Sequence, residues 1–185
     1  MKQSESVIFI LDAIEAAGIE YMVGGSVAYM NYAIPRATKD FDLVIALREP
    51  EFTAFLKQVD SFFTLDPQIY VEGLTGTKRF ILQHKTTAFD VELFIKSEDP
   101  HHLLMWSRKT FRNLVFCSRE AWTPTAEDMI IQKLRWGRPQ DRVDVDNMIS
   151  IQSPNLDWPY IENWCDQHGT RALLEEIRAS IPPMD

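Results

Sequence analysis

Residues 40–45, Asp-Phe-Asp-Leu-Val-Ile, alternate polar and apolar side chains over the length of one strand. On a strand, residues i and i+2 share a face, so Asp40 and Asp42 stand side by side while Phe41 and Leu43 pack behind them. Two like charges that close repel, and the pair calls for a compensating cation. Mg2+ suits it, as a hard ion that takes one or two carboxylates together with phosphate oxygens. Taken alone, an acid-x-acid strand is equally an exposed polar strand face.

Other residues narrow that choice. Gly24-Gly25-Ser26 lies upstream, between a predicted strand over residues 19–23 and a predicted helix over 26–32. Glycines let the backbone approach a phosphate, a helix start turns N–H groups toward it, and Ser26 adds a hydroxyl. The run Phe89-Asp90-Val91-Glu92-Leu93 offers two further carboxylates on one strand face, either of which makes a third ligand. Three acids suffice for two metal ions, one beside the acceptor hydroxyl and one on the triphosphate. Arg36, between the glycines and the acidic pair, is placed to offset pyrophosphate charge. Lys133 lies on a later predicted helix with Met129 and Trp136 at i−4 and i+3, at the edge of an apolar face from which it can reach a cleft or simply snorkel to solvent. Arg138, Asp141 and Asp144 follow as a polar network or as local caps and pairs.

The rest of the chain gives an α/β half followed by a mainly helical third. Helical spacing covers residues 5–17, 50–59 and 99–109. Residues 78–83 and 88–95 read as a hairpin around His84-Lys85, and 110–116 as another strand. After Trp122, helices are predicted from the Thr125 cap to Trp136, then over 140–149, 160–167 and 171–180. We divide the chain into a core over residues 1–122 and a helical region over 123–185 packed on it. With 185 residues, 45% hydrophobic and 25% charged, the chain is long enough for that layout and has the composition of a folded protein.

The same composition excludes several classes. No apolar run reaches membrane-spanning length, and the first residues lack the basic start and apolar core of a signal peptide, so a cytoplasmic protein is expected. Cys117 and Cys165 form no disulfide or metal framework, and the four histidines show no H-x-x-x-H spacing, so no zinc site is expected. Neither a G-x-x-x-x-G-K-[ST] loop nor G-x-S-x-G occurs. The net charge of −8 argues against a broad nucleic-acid surface. Residues 105–142, however, carry eight Lys/Arg against four acids, about +4, which allows a local cationic wall or a solvated helix face.

The stretch Gly24-Gly25-Ser26-Val27-Ala28, then Tyr32, Pro35-Arg36, Thr38 and Asp40-Phe41-Asp42-Leu43-Val44, resembles the opening motif of the polymerase β-like nucleotidyltransferase superfamily. The block from Ala126-Glu127-Asp128 through Lys133-Leu134 to Asp144-Val145 is similar to the helical motif of bacterial minimal nucleotidyltransferases related to the AbiEii toxins. The resemblance covers roughly residues 5–150. It implies a nucleotidyltransferase fold, with a mixed sheet flanked by helices, and transfer of an NMP from an NTP to a hydroxyl. It further implies phosphate contacts at Gly25 and Ser26, metal ligands at Asp40, Asp42 and Glu92, and a nucleotide contact at Lys133. Glu92 is preferred because Ser97-Glu98-Asp99-Pro100 follows it as a similar turn follows the family acid; Asp90 is the second candidate. The acceptor implied is RNA in a toxin–antitoxin setting, with an antitoxin protein as partner. The alternatives are a small hydroxylated molecule, or a nucleotide-binding regulatory module with little catalysis.

Overall fold

The computed structural model describes residues 1–182, which divide into two compact units, residues 1–31 with 36–124 and residues 32–35 with 125–182. The first unit opens with α1 (Gln3–Ala16), whose Val7, Ile10, Leu11 and Ile14 recur at helical spacing and are all fully buried. β1 (Tyr21–Val23) follows, then a short α2 (Gly25–Tyr29), β2 (Asp40–Ile45) and α3 (Glu49–Val59). β3 (Phe63–Leu65), β4 (Tyr70–Val71), β5 (Lys78–His84) and β6 (Asp90–Ile95) complete the main sheet. α4 (Pro100–Arg108) and a hairpin of β7 (Thr110–Leu114) and β8 (Arg119–Thr123) end the unit.

The sheet order is β1-β2-β6-β5-β3, with β4 pairing β5. β2 and β6 are parallel, and the other pairs are antiparallel, so the sheet is mixed. A parallel pair needs a long crossover, and residues 46–89, carrying α3 to β5, supply it. On β2 the burial alternates strictly, with Phe41, Leu43 and Ile45 fully buried, and on β6 Val91 and Leu93 are buried beside them. One sheet face is therefore core, and the other carries the acids.

The second unit holds α5 (Ala126–Trp136), α6 (Pro139–Gln152), α7 (Trp158–His168) and α8 (Arg171–Ser180). Thr125 caps α5, its hydroxyl accepting from the Asp128 amide. Gly137, at φ +61°, stops the helix and lets α6 fold back against it. The Tyr160 hydroxyl donates to the fully buried Asp128 carboxylate at 2.6 Å, which fastens α7 to α5. No helix among the described residues is long and apolar enough to cross a membrane.

Three strands escaped the sequence pattern: β3, β4 and β8. β3 and β4 are three and two residues long, too short to show a period, and β8 opens on the charged pair Arg119-Glu120. The helix expected over 26–32 ends at Tyr29.

Because Leu43 is wholly buried behind the acidic pair, Leu43→Ala should cost about 2–5 kcal/mol of unfolding free energy. Urea denaturation checks this as a lower midpoint at unchanged slope.

Candidate active site

Four carboxylates meet where β2 and β6 run side by side. Their register pairs Asp40 with Asp90 and Asp42 with Glu92. Paired residues share a face, and neighbouring strands lie about 4.8 Å apart. All four side chains are half-buried, opposite the buried Phe41, Leu43, Val91 and Leu93. The sequence placed these acids on two strands; the pairing across the strands is what the structure adds.

Burial shifts the β6 pair. Desolvation pushes the Asp90 carboxyl above its ordinary range, and the neighbouring Asp40 and Asp66 add to the rise. Glu92 is also raised, chiefly by burial, against the opposing pull of Arg79. Asp40 is oriented by the buried Thr38, whose hydroxyl donates to its Oδ1 at 2.7 Å.

The glycine pair is built against this face. The Gly24 amide donates to the Asp42 carbonyl at 2.9 Å, tying the start of α2 to β2. That N–H is therefore engaged within the fold. The first bond within α2 runs from the Ala28 amide to the Gly24 carbonyl, so the Gly25 and Ser26 amides lie ahead of it. Gly25 sits at φ +52°, and a Cβ there would collide with Asp42 Oδ2 and lie 2.5 Å from Cγ. The positive φ, together with the close Asp42 side chain, favours glycine at this point. Arg36, in the same unit, lies over the Tyr29 ring at 5.6 Å.

Arg79 was not foreseen. It stands on β5, with its Nη1 2.7 Å from Glu92 Oε2. Lys78-Arg79 at a strand start carries no motif, and only the β5–β6 register reveals that Arg79 faces the acids.

Lys133 belongs to the second unit, where it is buried rather than displayed at an edge. It is 2% exposed, with Nζ 2.6 Å from Asp144 and 3.4 Å from Asp141. Arg138 Nε meets Asp141 at 2.6 Å, and Gln140 donates to Asp144 at 3.0 Å. Arg138 pairs locally with Asp141, and Asp141 and Asp144 also join Lys133 and Gln140 in a polar network within the second unit. The cause is the turn at Gly137, which brings the first turns of α6 back to Lys133.

The basic stretch over residues 105–142 loses much of its charge in the fold. Arg119 pairs with Asp12 and Glu15, Lys133 with Asp141 and Asp144, Arg138 with Asp141, and Arg142 with Glu176. Counting charge along the sequence hid these partners, most of which lie outside the stretch or on its last turn. A second group of metal-ligand type also forms. Ligand atoms of Asp99, His101 and His102 lie within 4.8 Å of one another at the start of α4, although no histidine spacing announced it. Asp99 caps that helix through the His102 amide, and His102 Nδ1 lies 2.8 Å from the Ser97 hydroxyl.

The sheet order, the acid register and the glycine turn define a nucleotidyltransferase fold. Three solved structures are similar to this chain at that level. An antigenic nucleotidyltransferase-like protein from Paracoccidioides brasiliensis is 17% identical, with a TM-score of 0.55 over 96% of this chain and 93% of its own. The lincosamide antibiotic adenylyltransferase LnuA, lincomycin-bound, is 16% identical, with a TM-score of 0.55 over 80% of this chain and 96% of its own. The antibiotic-resistance factor ANT(2'')-Ia is 16% identical, with a TM-score of 0.52 over 96% and 91%. At such identities the likeness is one of fold. No family model matches the chain, and no curated protein matches it in sequence.

Two outcomes follow from this geometry. Gly25→Ala should destabilise by roughly 1–3 kcal/mol, and Asp42→Ala in the same chain should recover part of that loss. A double-mutant cycle by denaturation reads the coupling, and strict additivity would contradict the contact. The raised Asp90 means that the folded state holds this proton more tightly than the unfolded chain, so its ionisation lowers stability as pH rises. Asp90→Asn should therefore raise Tm at pH 7, and the gain should vanish below about pH 4.

Proposed function

We propose that this protein is an enzyme that transfers a nucleoside monophosphate from an NTP to a hydroxyl of a small molecule. The observation that carries this reading is the register Asp40↔Asp90 and Asp42↔Glu92 beside Gly25, whose positive φ and closeness to the Asp42 side chain favour glycine. The donor set fits Mg2+: hard oxygen ligands cluster on one face, and a guanidinium already pairs with one of them. Asp40, Asp42 and Glu92 would hold two such ions, which supply positive charge at the triphosphate and at the acceptor oxygen.

The chain's own groups divide the remaining work. The Gly25 and Ser26 amides and the Ser26 hydroxyl bind phosphate oxygens, and Arg36 offsets the charge of the leaving pyrophosphate. Thr38 fixes the rotamer of Asp40. The acceptor oxygen forms a bond to the α-phosphorus as the bond to the α–β bridging oxygen breaks. Pyrophosphate leaves with that electron pair, and the hydroxyl proton passes to a carboxylate of the cluster. Lys133 is assigned to the interior of its own unit, where two aspartates hold it, and not to the nucleotide.

The acceptor class rests on two supports. LnuA is an antibiotic adenylyltransferase, and ANT(2'')-Ia, also seen with adenylyl-2''-tobramycin, is an antibiotic-resistance factor; both share this fold. The finer resemblance to AbiEii-related enzymes would give RNA as acceptor and an antitoxin as partner. Lys133 is buried between two aspartates, and Arg119, Arg138 and Arg142 also have carboxylate neighbours, which lowers the local positive charge an RNA surface would draw on and so favours the small acceptor. We place the reaction in the cytoplasm, where NTPs and Mg2+ are plentiful.

The test is incubation with each α-labelled NTP and Mg2+, with hydroxylated antibiotics of several classes in one arm and total RNA in the other. Label should appear on a small molecule, and label on RNA alone would overturn the acceptor assignment. Asp42→Asn should lower turnover by about 100-fold or more, and Glu92→Gln should impair transfer far more than Asp90→Asn. Transfer untouched in Asp42→Asn would remove the site.

A further inference from the structure

Glu92 already has a cation on it. Arg79 lies two residues before Ile81, which pairs with Glu92 across β5 and β6, so Arg79 shares the acids' face of the sheet. Its Nη1 is 2.7 Å from Glu92 Oε2, in a pair whose side chains are 29% and 19% exposed. The guanidinium is steered by rings: its carbon lies 5.2 Å from the Tyr70 centroid and 5.7 Å from that of Phe94. Tyr70 is in turn held by its hydroxyl, which donates to Asp66 at 3.1 Å. Arg79 Nε is buried and makes no hydrogen bond to any described residue.

This grip is unusual for a structural ion pair. An arginine meant to lock a strand satisfies several of its five donors, commonly in a bidentate fork. Here one nitrogen carries the contact to the carboxylate, while two aromatic faces keep the planar group in place without consuming donors. Such an arrangement lets the head group exchange one anionic partner for another with little movement of the side chain. The anion that enters a nucleotidyltransferase site is a triphosphate, and guanidinium binds phosphate as readily as carboxylate.

We propose that Arg79 is an exchangeable counterion of the third carboxylate, which competes with the metal for Glu92 and, once displaced, pairs with the triphosphate. This rests on the nucleotidyltransferase reading above and adds to it a linkage between metal and nucleotide. A divalent ion that takes Glu92 Oε2 competes with Arg79 Nη1 for that oxygen, which weakens metal binding alone. The nucleotide supplies the displaced guanidinium with a new anion and so favours metal entry. By reciprocity, metal raises nucleotide affinity by the same factor. Arg79 is thus a positioning and coupling residue.

The experiment measures Mn2+ binding alone, binding of a non-hydrolysable NTP analogue alone, and each in the presence of the other, for wild type, Arg79→Gln and Arg79→Lys. Calorimetry gives the affinities, and circular dichroism checks that each variant is folded. Arg79→Gln should bind Mn2+ alone roughly three- to tenfold more tightly than wild type, while nucleotide binding weakens and the metal–nucleotide coupling falls toward unity. Arg79→Lys, which keeps the charge but lacks the planar fork, should fall between the two. In the wild type, the Arg79 Nε–H resonance, assigned by its loss in Arg79→Lys, should shift as Mn2+ is replaced by diamagnetic Mg2+ and titrated. That readout stands even if Arg79→Gln does not fold. Mn2+ affinity unchanged or weaker in folded Arg79→Gln, or an Nε–H resonance indifferent to Mg2+, would overturn the proposal while wild-type binding left the site intact. Wild type that binds neither metal nor nucleotide would overturn the site reading itself, and this proposal with it.

Discussion

Repulsion between carboxylates on neighbouring parallel strands is the constraint around which the first unit is organised. Like charges on adjacent strands repel, and Asp40 adds to the rise of both Asp90 and Glu92. The register sets Asp40 beside Asp90 and Asp42 beside Glu92, so the negative charge gathered on this face opposes folding. The fold meets this from the far side of the sheet, where Phe41, Leu43, Val91 and Leu93 are buried and fix the register. A slip of one residue would carry these side chains to solvent and the acids into the core. Hydrophobic packing thus holds these charges together on one face of the sheet.

The local devices on the acid face all serve that arrangement. Thr38 donates to Asp40, Arg79 pairs with Glu92, and Gly25 leaves room for the Asp42 carboxylate. Asp90 is raised chiefly by burial, with Asp40 and Asp66 adding to the rise. The second unit repeats the theme with the signs balanced. Lys133 is buried between Asp141 and Asp144, with Arg138 and Gln140 satisfying the outer oxygens. A buried triad of this kind contributes little net stability, yet removing one member leaves an uncompensated charge.

Much of this was legible in the sequence, for identifiable reasons. Strand alternation at Asp40–Ile45 and Asp90–Ile95 follows from a period of two, and the Gly24-Gly25 break is visible because glycine marks special backbone. What depends on which strand lies beside which was not legible. The register of β2 on β6, and hence the number of acids that meet, is a long-range fact. So is the position of Arg79, which no motif marks. The basic stretch misled for the same reason: charge counted along the chain ignores Asp12, Glu15 and Glu176, which lie far from it in sequence and beside it in space. Lys133 looked like an edge residue because helical spacing shows one helix at a time, and α6 covers it only after the turn at Gly137.

The central claim is that the β2–β6 acids form a cation site, and paramagnetic mapping tests it most directly. Mn2+ added at substoichiometric amounts to the 15N-labelled protein broadens the amides nearest the bound ion. The account predicts that Gly25, Asp40 to Asp42 and Asp90 to Glu92 broaden first and together. Broadening that begins at Asp99 to His102, or is spread evenly over exposed acids while residues 40–42 and 90–92 stay sharp, would contradict it.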